Sequence, residues 1–174
     1  MRVVAGIAGG RRLQAPAGQR LRPTSERVRE AVFASLGSLD AVEGARVVDL
    51  FAGTGALGIE ALSRGAASAT FVESDPKAVE VIKANLKATG LAGPEATVVR
   101  ADVLRFLERS SETFDLALAD PPYAFEGWPA LLAVLPADLA VLEAASPVEP
   151  VPGWAILRSR RYGDSVVTLA RRQA

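Results

Sequence analysis

From Arg46 onward, short apolar runs alternate with longer stretches whose apolar positions recur every three to four residues. Runs of the first kind predict buried strands and those of the second amphipathic helices. Strands are expected over residues 46–51, 69–73, 97–101, 114–119 and 139–142, with helices over 56–64, 76–89, 104–109 and 128–134. Strict alternation of this kind builds a parallel sheet covered by helices on both faces. After Glu143 the order changes. Residues 154–160 and 165–171 flank Tyr162-Gly163-Asp164, which reads as an antiparallel hairpin that closes the sheet. The pattern therefore describes an α/β fold with a mostly parallel seven-stranded sheet.

The amino end has a different rhythm. Residues 2–13 alternate loosely around glycines and predict a small hairpin, followed by loop over 15–22. Pro23, Thr24 and Ser25 supply a helix start, after which Val28, Ala31, Val32, Ser35, Leu36 and Leu39 recur along one face. Arg27, Arg29 and Glu30 fall off that stripe and are expected in solvent, Arg27 and Glu30 at the spacing of a helical ion pair. Residues 1–40 are thus expected to form an extension, and residues 41–174 the main domain. A chain of 174 residues buries about 70% of its unfolded surface without disulfide or metal staples.

Composition narrows the chemistry. With no Cys and no His, thiolate nucleophiles, thiolate metal sites and histidine general bases are excluded, and no metal is expected. Arg11 and Arg12 interrupt the amino end before a long apolar segment forms, and no run is long enough to span a bilayer, so a cytoplasmic, membrane-free protein is expected. The formal net charge of zero conceals an uneven distribution. Residues 1–30 carry seven Arg against two acids, residues 151–174 five Arg against one, and the middle seventeen acids against eight cations. Basic ends dominated by Arg, the better bidentate partner for phosphate, point to nucleic acid. Arg11, Arg12, Arg20, Arg22 and Arg27 are the expected phosphate contacts.

Two motifs carry the candidate chemistry. Gly53, Gly55 and Gly58 form a G-x-G-x-x-G between an expected strand and helix, and Glu73 follows Gly53 by twenty residues, where a carboxylate takes the hydroxyls of a ribose. Asp49 precedes that loop. A carboxylate there repels a pyrophosphate but attracts the ammonium or sulfonium of S-adenosylmethionine, which disfavours a dinucleotide and favours the methyl donor. Asp49 also suits a cap on the turn, a use compatible with the first. Asp102 ends a third strand and fits either an adenine amino group or a helix N-cap. The second motif is Asp120-Pro121-Pro122-Tyr123. A carboxylate, a turn stiffened by two prolines with carbonyls left to accept hydrogen bonds, and an aromatic face together suit a planar amine.

From Asp49 to Tyr123 these pieces resemble a Rossmann-like, class I S-adenosylmethionine-dependent methyltransferase acting on an exocyclic nitrogen. The stretches Gly10-Arg11-Arg12-Leu13, Leu21 to Glu30, Phe51 to Ala66 and Arg161-Tyr162-Gly163-Asp164 narrow the resemblance to the RsmD-type 16S ribosomal RNA guanine-N2 methyltransferases. The resemblance implies modification of one guanine in the head of the small (30S) ribosomal subunit near the P site, on an assembled or partly assembled subunit; the protein itself is expected to be a monomer. It implies a cofactor set of Asp49, Phe51, Ala52, Gly53, Thr54, Gly55, Gly58, Glu73, Ser74, Asp102 and Val103, and a catalytic set of Asp120, Pro121, Pro122 and Tyr123. An adenine-N6 methyltransferase and a non-catalytic RNA-binding scaffold with a relict cofactor fold are the competing readings.

Overall fold

A computed structural model describes residues 1–15 and 25–174. The chain runs α1 (Ser25–Ser38), β1 (Arg46–Leu50), α2 (Ala56–Ser63), β2 (Ser68–Glu73), α3 (Pro76–Thr89), β3 (Ala96–Arg100), α4 (Val103–Arg109), β4 (Phe114–Ala119), α5 (Trp128–Val134), β5 (Ala137–Ala144), β6 (Trp154–Tyr162) and β7 (Ser165–Arg172). The seven strands form one sheet in the order β3-β2-β1-β4-β5-β7-β6. β1 to β5 are parallel, and β7 pairs antiparallel with both β5 and β6. The order reverses between β1 and β4, and their carboxyl ends define the crevice where open α/β sheets bind ligands.

Period-two alternation splits the core in two. Val47, Phe71, Leu116, Leu118 and Val141 face α1, α2 and α3 together with Val3, Ala8 and Leu13 of the amino end. Val48, Leu50, Val72, Ala117 and Leu142 face α4 and α5. Strands buried on both faces need apolar residues at nearly every position, which is why β1 and β4 are apolar except at Arg46, Asp49 and Asp115. Val148 and Val151, in the segment between β5 and β6 that carries Pro147, Pro150 and Pro152, also enter the second core. Local signals set the helix ends. Asp75 caps α3 by accepting the Lys77 N–H at 3.0 Å, Pro76 occupies the first turn, and Gly90 closes the helix at φ 74°.

Several boundaries differ from the sequence reading. β5 spans 137–144, longer than the expected 139–142, because pairing with β4 extends it back to Ala137 and pairing with β7 carries it on to Ala144. β1 stops at Leu50, one residue short, because Phe51 turns the chain with φ 58°. The expected amino-terminal hairpin is held by a single bridge, Arg2 to Arg12, with turns between. The larger correction concerns α1. Leu39 lies beyond its end and is exposed, whereas Arg29, expected in solvent, is only 4% exposed. Its Nη1 meets Glu60 Oε2 at 3.2 Å and its Nη2 donates to the Arg2 carbonyl at 2.7 Å. Periodicity misplaced Arg29 because the amino-terminal segment covers the helix surface that would otherwise be wet.

Candidate active site

The glycine loop leaves β1 at Phe51 and enters α2 after Gly55, which stands at φ 80°. Its backbone is tied down on three sides. Ala52 N–H donates to the Val72 carbonyl at 3.1 Å, Gly53 N–H to Glu73 Oε1 at 2.8 Å, and the Asn85 amide to the Thr54 carbonyl at 2.9 Å. Gly58 sits against the sheet so closely that a Cβ there would lie 2.4 Å from the Phe71 ring. It is the third glycine of the motif, and its missing side chain lets helix meet strand.

Asp49 is buried beneath this loop, its Oδ2 accepting the Gly58 N–H at 2.9 Å. The turn-capping use is thus the one the geometry displays. Burial pushes its carboxyl well above the usual carboxylate range; the Gly58 hydrogen bond opposes this, and the charges of Asp120 and Glu73 add to it. A carboxyl whose folded-state pKa is raised stabilises the fold at low pH and loses that contribution as pH climbs through the raised value. Asp49→Asn keeps an oxygen for Gly58 and never ionises. In the cofactor-free protein its melting temperature is expected to gain on that of wild type as pH rises from 4 to 8. A gap independent of pH would remove burial as the cause.

Glu73 ends β2 half-exposed, with Oε1 on Gly53 and Oε2 accepting the Asp75 N–H at 2.9 Å. Ser74 follows it, exposed. Asp102 is the N-cap of α4, its Oδ1 accepting the Arg105 N–H at 3.1 Å, and Val103 beside it is buried. Asp49, the glycine loop, Glu73 and Asp102 thus converge on the carboxyl edge of β1, β2 and β3. At the end of neighbouring β4, Asp120 is exposed, Pro121 buried and Tyr123 53% exposed. The Pro122 carbonyl, expected to be left for a ligand, accepts the Phe125 N–H at 2.9 Å, because the chain turns back immediately after the two prolines. None of the backbone hydrogen bonds among the described residues uses the Pro121 carbonyl.

Three contributors escaped the sequence reading. Phe125 stands edge-on between Phe51, at 5.1 Å between ring centroids, and Trp128, at 5.0 Å, joining the β1 turn, the Asp120 turn and α5. Asn85 is fully buried and also exchanges hydrogen bonds with the Gln14 backbone, at 2.7 and 3.0 Å. Glu60 is fully buried and accepts Val4 and Ala5 N–H groups besides pairing with Arg29 and Arg64. For Asn85 and Glu60 a signal did exist: each is a polar residue amid the apolar positions of its helix.

Among the expected phosphate contacts, Arg11, Arg12 and Arg27 are exposed; Arg11 Nη1 also reaches the Ala88 carbonyl at 3.4 Å. Arg20 and Arg22 lie outside the described residues. The ion pairs among the described residues do not include Arg27 with Glu30. Among them there is also no cluster of three acids able to hold a metal ion, and no helix is long and apolar enough to cross a membrane.

The strand order, the closing hairpin, the glycine loop after β1 and the acid ending β2 define a Rossmann-like, class I methyltransferase, whose methyl donor is S-adenosylmethionine. The open loop suits that donor: a Cβ on Gly53 would find its nearest neighbour 3.9 Å away, so the backbone there is accessible. The chain belongs to the RsmD-type family, whose model, described as conserved hypothetical protein 95, matches residues 1–171. It is 34% identical to ribosomal RNA small subunit methyltransferase D of Escherichia coli K12 over 186 aligned residues, covering 100% of this chain and 91% of that protein. The enzyme of the same name from Haemophilus influenzae is 36% identical over 127 residues, 72% of this chain and 65% of that one. A solved Escherichia coli chain, yhhF, assigned as a methyltransferase, matches with a TM-score of 0.86 at 34% identity, covering 100% of this chain and 98% of that chain.

Proposed function

We propose that this chain, as a cytoplasmic monomer, methylates the exocyclic N2 of one guanine in 16S rRNA within the 30S subunit or its assembly intermediate. The observation that carries the reading is the Asp120-Pro121-Pro122-Tyr123 turn at the end of β4, beside the glycine loop that ends β1, in a chain whose relatives are named for small-subunit rRNA. S-adenosylmethionine, when bound, supplies an electrophilic methyl group. Glu73 would hold the ribose, Asp102 and Val103 the adenine, and residues 51–55 the backbone contacts, with Asp49 beneath bracing the loop through the Gly58 N–H.

The chain's own part is to make a poor nucleophile react. The N2 lone pair of guanine is delocalised into the ring, so the amine must be oriented before transfer. Asp120 and the Pro121 carbonyl accept its two hydrogens and turn the lone pair toward the donor side. Tyr123, half in solvent, stacks on the base once it has left its RNA stack. Asp120 or water takes the proton afterwards. Residues 1–40 form the RNA-contacting extension, with Arg11, Arg12, Arg20, Arg22 and Arg27 on phosphates, and residues 41–174 carry the chemistry. The test is incubation with labelled cofactor and small subunits from a strain lacking the activity, followed by mass spectrometry of the nucleosides. N2-methylguanosine is expected; N6-methyladenosine, or no product, would overturn the proposal.

A further inference from the structure

We infer that the groove between α1 and the β6–β7 hairpin binds RNA flanking the target nucleotide, seating an unpaired base against Tyr162 and its phosphates against Arg158 and Arg160. This inference rests on the rRNA reading above. The groove has an apolar floor that includes Val32, Val141 and Leu169, and Arg158, Arg160 and half-buried Tyr162 on its rim. Arg158 and Arg160 are two residues apart on β6, so they project to the same face. Arg158 also reaches Ser35 of α1 at 3.4 Å, which places its guanidinium across the groove.

Position relative to the active edge follows from the strand register. Ala119 is level with Leu142, Leu142 with Thr168, and Thr168 with Ser159. One position further toward that edge, Glu143 is level with Val167 and Val167 with Arg160, which puts Arg160 level with Asp120. β6 is three strands from β4, about 14 Å at ordinary strand spacing. A strand of RNA with its target base at Asp120 can therefore cross the sheet edge and reach the groove.

The chemistry matches such a segment. No described carboxylate forms an ion pair with Arg158 or Arg160, and guanidinium groups hold phosphate bidentately. An aromatic ring with an apolar floor accepts any base, because every base offers a π-face. Arginines on an edge strand also deter strand addition by another chain, so the experiment must separate guarding from binding.

The test begins with wild type and purified small subunits lacking the modification. If wild type fails to methylate them, the rRNA reading falls and the groove with it. If it does methylate them, Arg158→Gln/Arg160→Gln is expected to raise the apparent KM for subunits at least about tenfold, with the larger part of the effect in KM rather than kcat. The thermal shift given by S-adenosylmethionine is expected to be unchanged. The slope of log affinity against log salt should become shallower by about 1.4, roughly 0.7 for each lost single-strand phosphate contact. Wild-type KM and slope in the double variant would refute the groove and leave the rRNA reading standing. Ultraviolet cross-linking of unmutated protein to subunits gives an independent measure. Adducts are expected on β6, and adducts confined to other parts of the chain would overturn the inference.

Discussion

Asp120→Ala is expected to lower kcat by about 10²–10³-fold while the thermal shift produced by S-adenosylmethionine stays at its wild-type value. The size of the loss follows from the proposed role, since an amine held by one acceptor instead of two no longer presents its lone pair in line. The selectivity follows from how the turn is built. Asp120 is exposed, whereas the turn behind it is held by buried Pro121, by the Phe125 N–H on the Pro122 carbonyl and by the rings of Phe51, Phe125 and Trp128. Truncating the side chain leaves all of these in place. Asp120→Asn keeps an acceptor oxygen and is expected to retain more activity than the alanine variant. Single-turnover methylation of small subunits, with cofactor binding followed in parallel, checks both. A near wild-type rate for Asp120→Ala would remove the residue from the mechanism, and loss of the cofactor shift would make its role structural.

Glu60→Ala is expected to destabilise the protein by about 3–5 kcal/mol, because it leaves a buried guanidinium without its counter-charge. Glu60 is fully buried and Arg29 only 4% exposed. The carboxylate also accepts Val4 N–H at 2.9 Å, Ala5 N–H at 3.1 Å and Arg64 Nε at 2.9 Å. Removing it orphans two backbone donors along with Arg29, whose Nε has no hydrogen-bond partner among the described residues and whose pKa burial lowers. For a chain of this length the melting temperature should fall by about 10 °C. Arg29→Met is expected to cost less, since Arg64 and both amides still satisfy Glu60. Urea unfolding of the three proteins measures this. Equal losses for the two variants would show that Glu60 acts mainly through Arg29.

How far the chain can be read without its structure depends on the range of the forces involved. β4 and the helices over 76–89 and 128–134 fall where the apolar pattern puts them, because burial on one or two faces is written into period and composition. The glycine loop and its partner Glu73 were legible for a similar reason: a tight turn and a strand-end acid at fixed separation are local features. Phe51 was not. A bulky residue at φ 58° is unfavourable locally by about 1–2 kcal/mol, and its packing on the second core, with the Phe125 ring far along the chain, rationalises the turn. Arg29 and Glu60 were misread or passed over for the same reason. Residues 2–5 complete the environment of both, and although Glu60 stands out as a polar residue among apolar ones, nothing within α1 or α2 says what would partner it.

What the sequence determined by itself is the alternating α/β order, the absence of thiol and imidazole side chains, the glycine loop between β1 and α2 and the Asp-Pro-Pro-Tyr turn that ends β4. These follow from short-range preferences and from the residue types present. The tertiary structure alone decided that Asp49 lies buried under Gly58, that the Pro122 carbonyl is taken by Phe125, and that the amino-terminal segment is anchored to α2 and α3 through Glu60 and Asn85. It also decided that Arg160 stands level with Asp120 across three strands. Each of these depends on which strand lies beside which, a property of the whole sheet that no single segment contains.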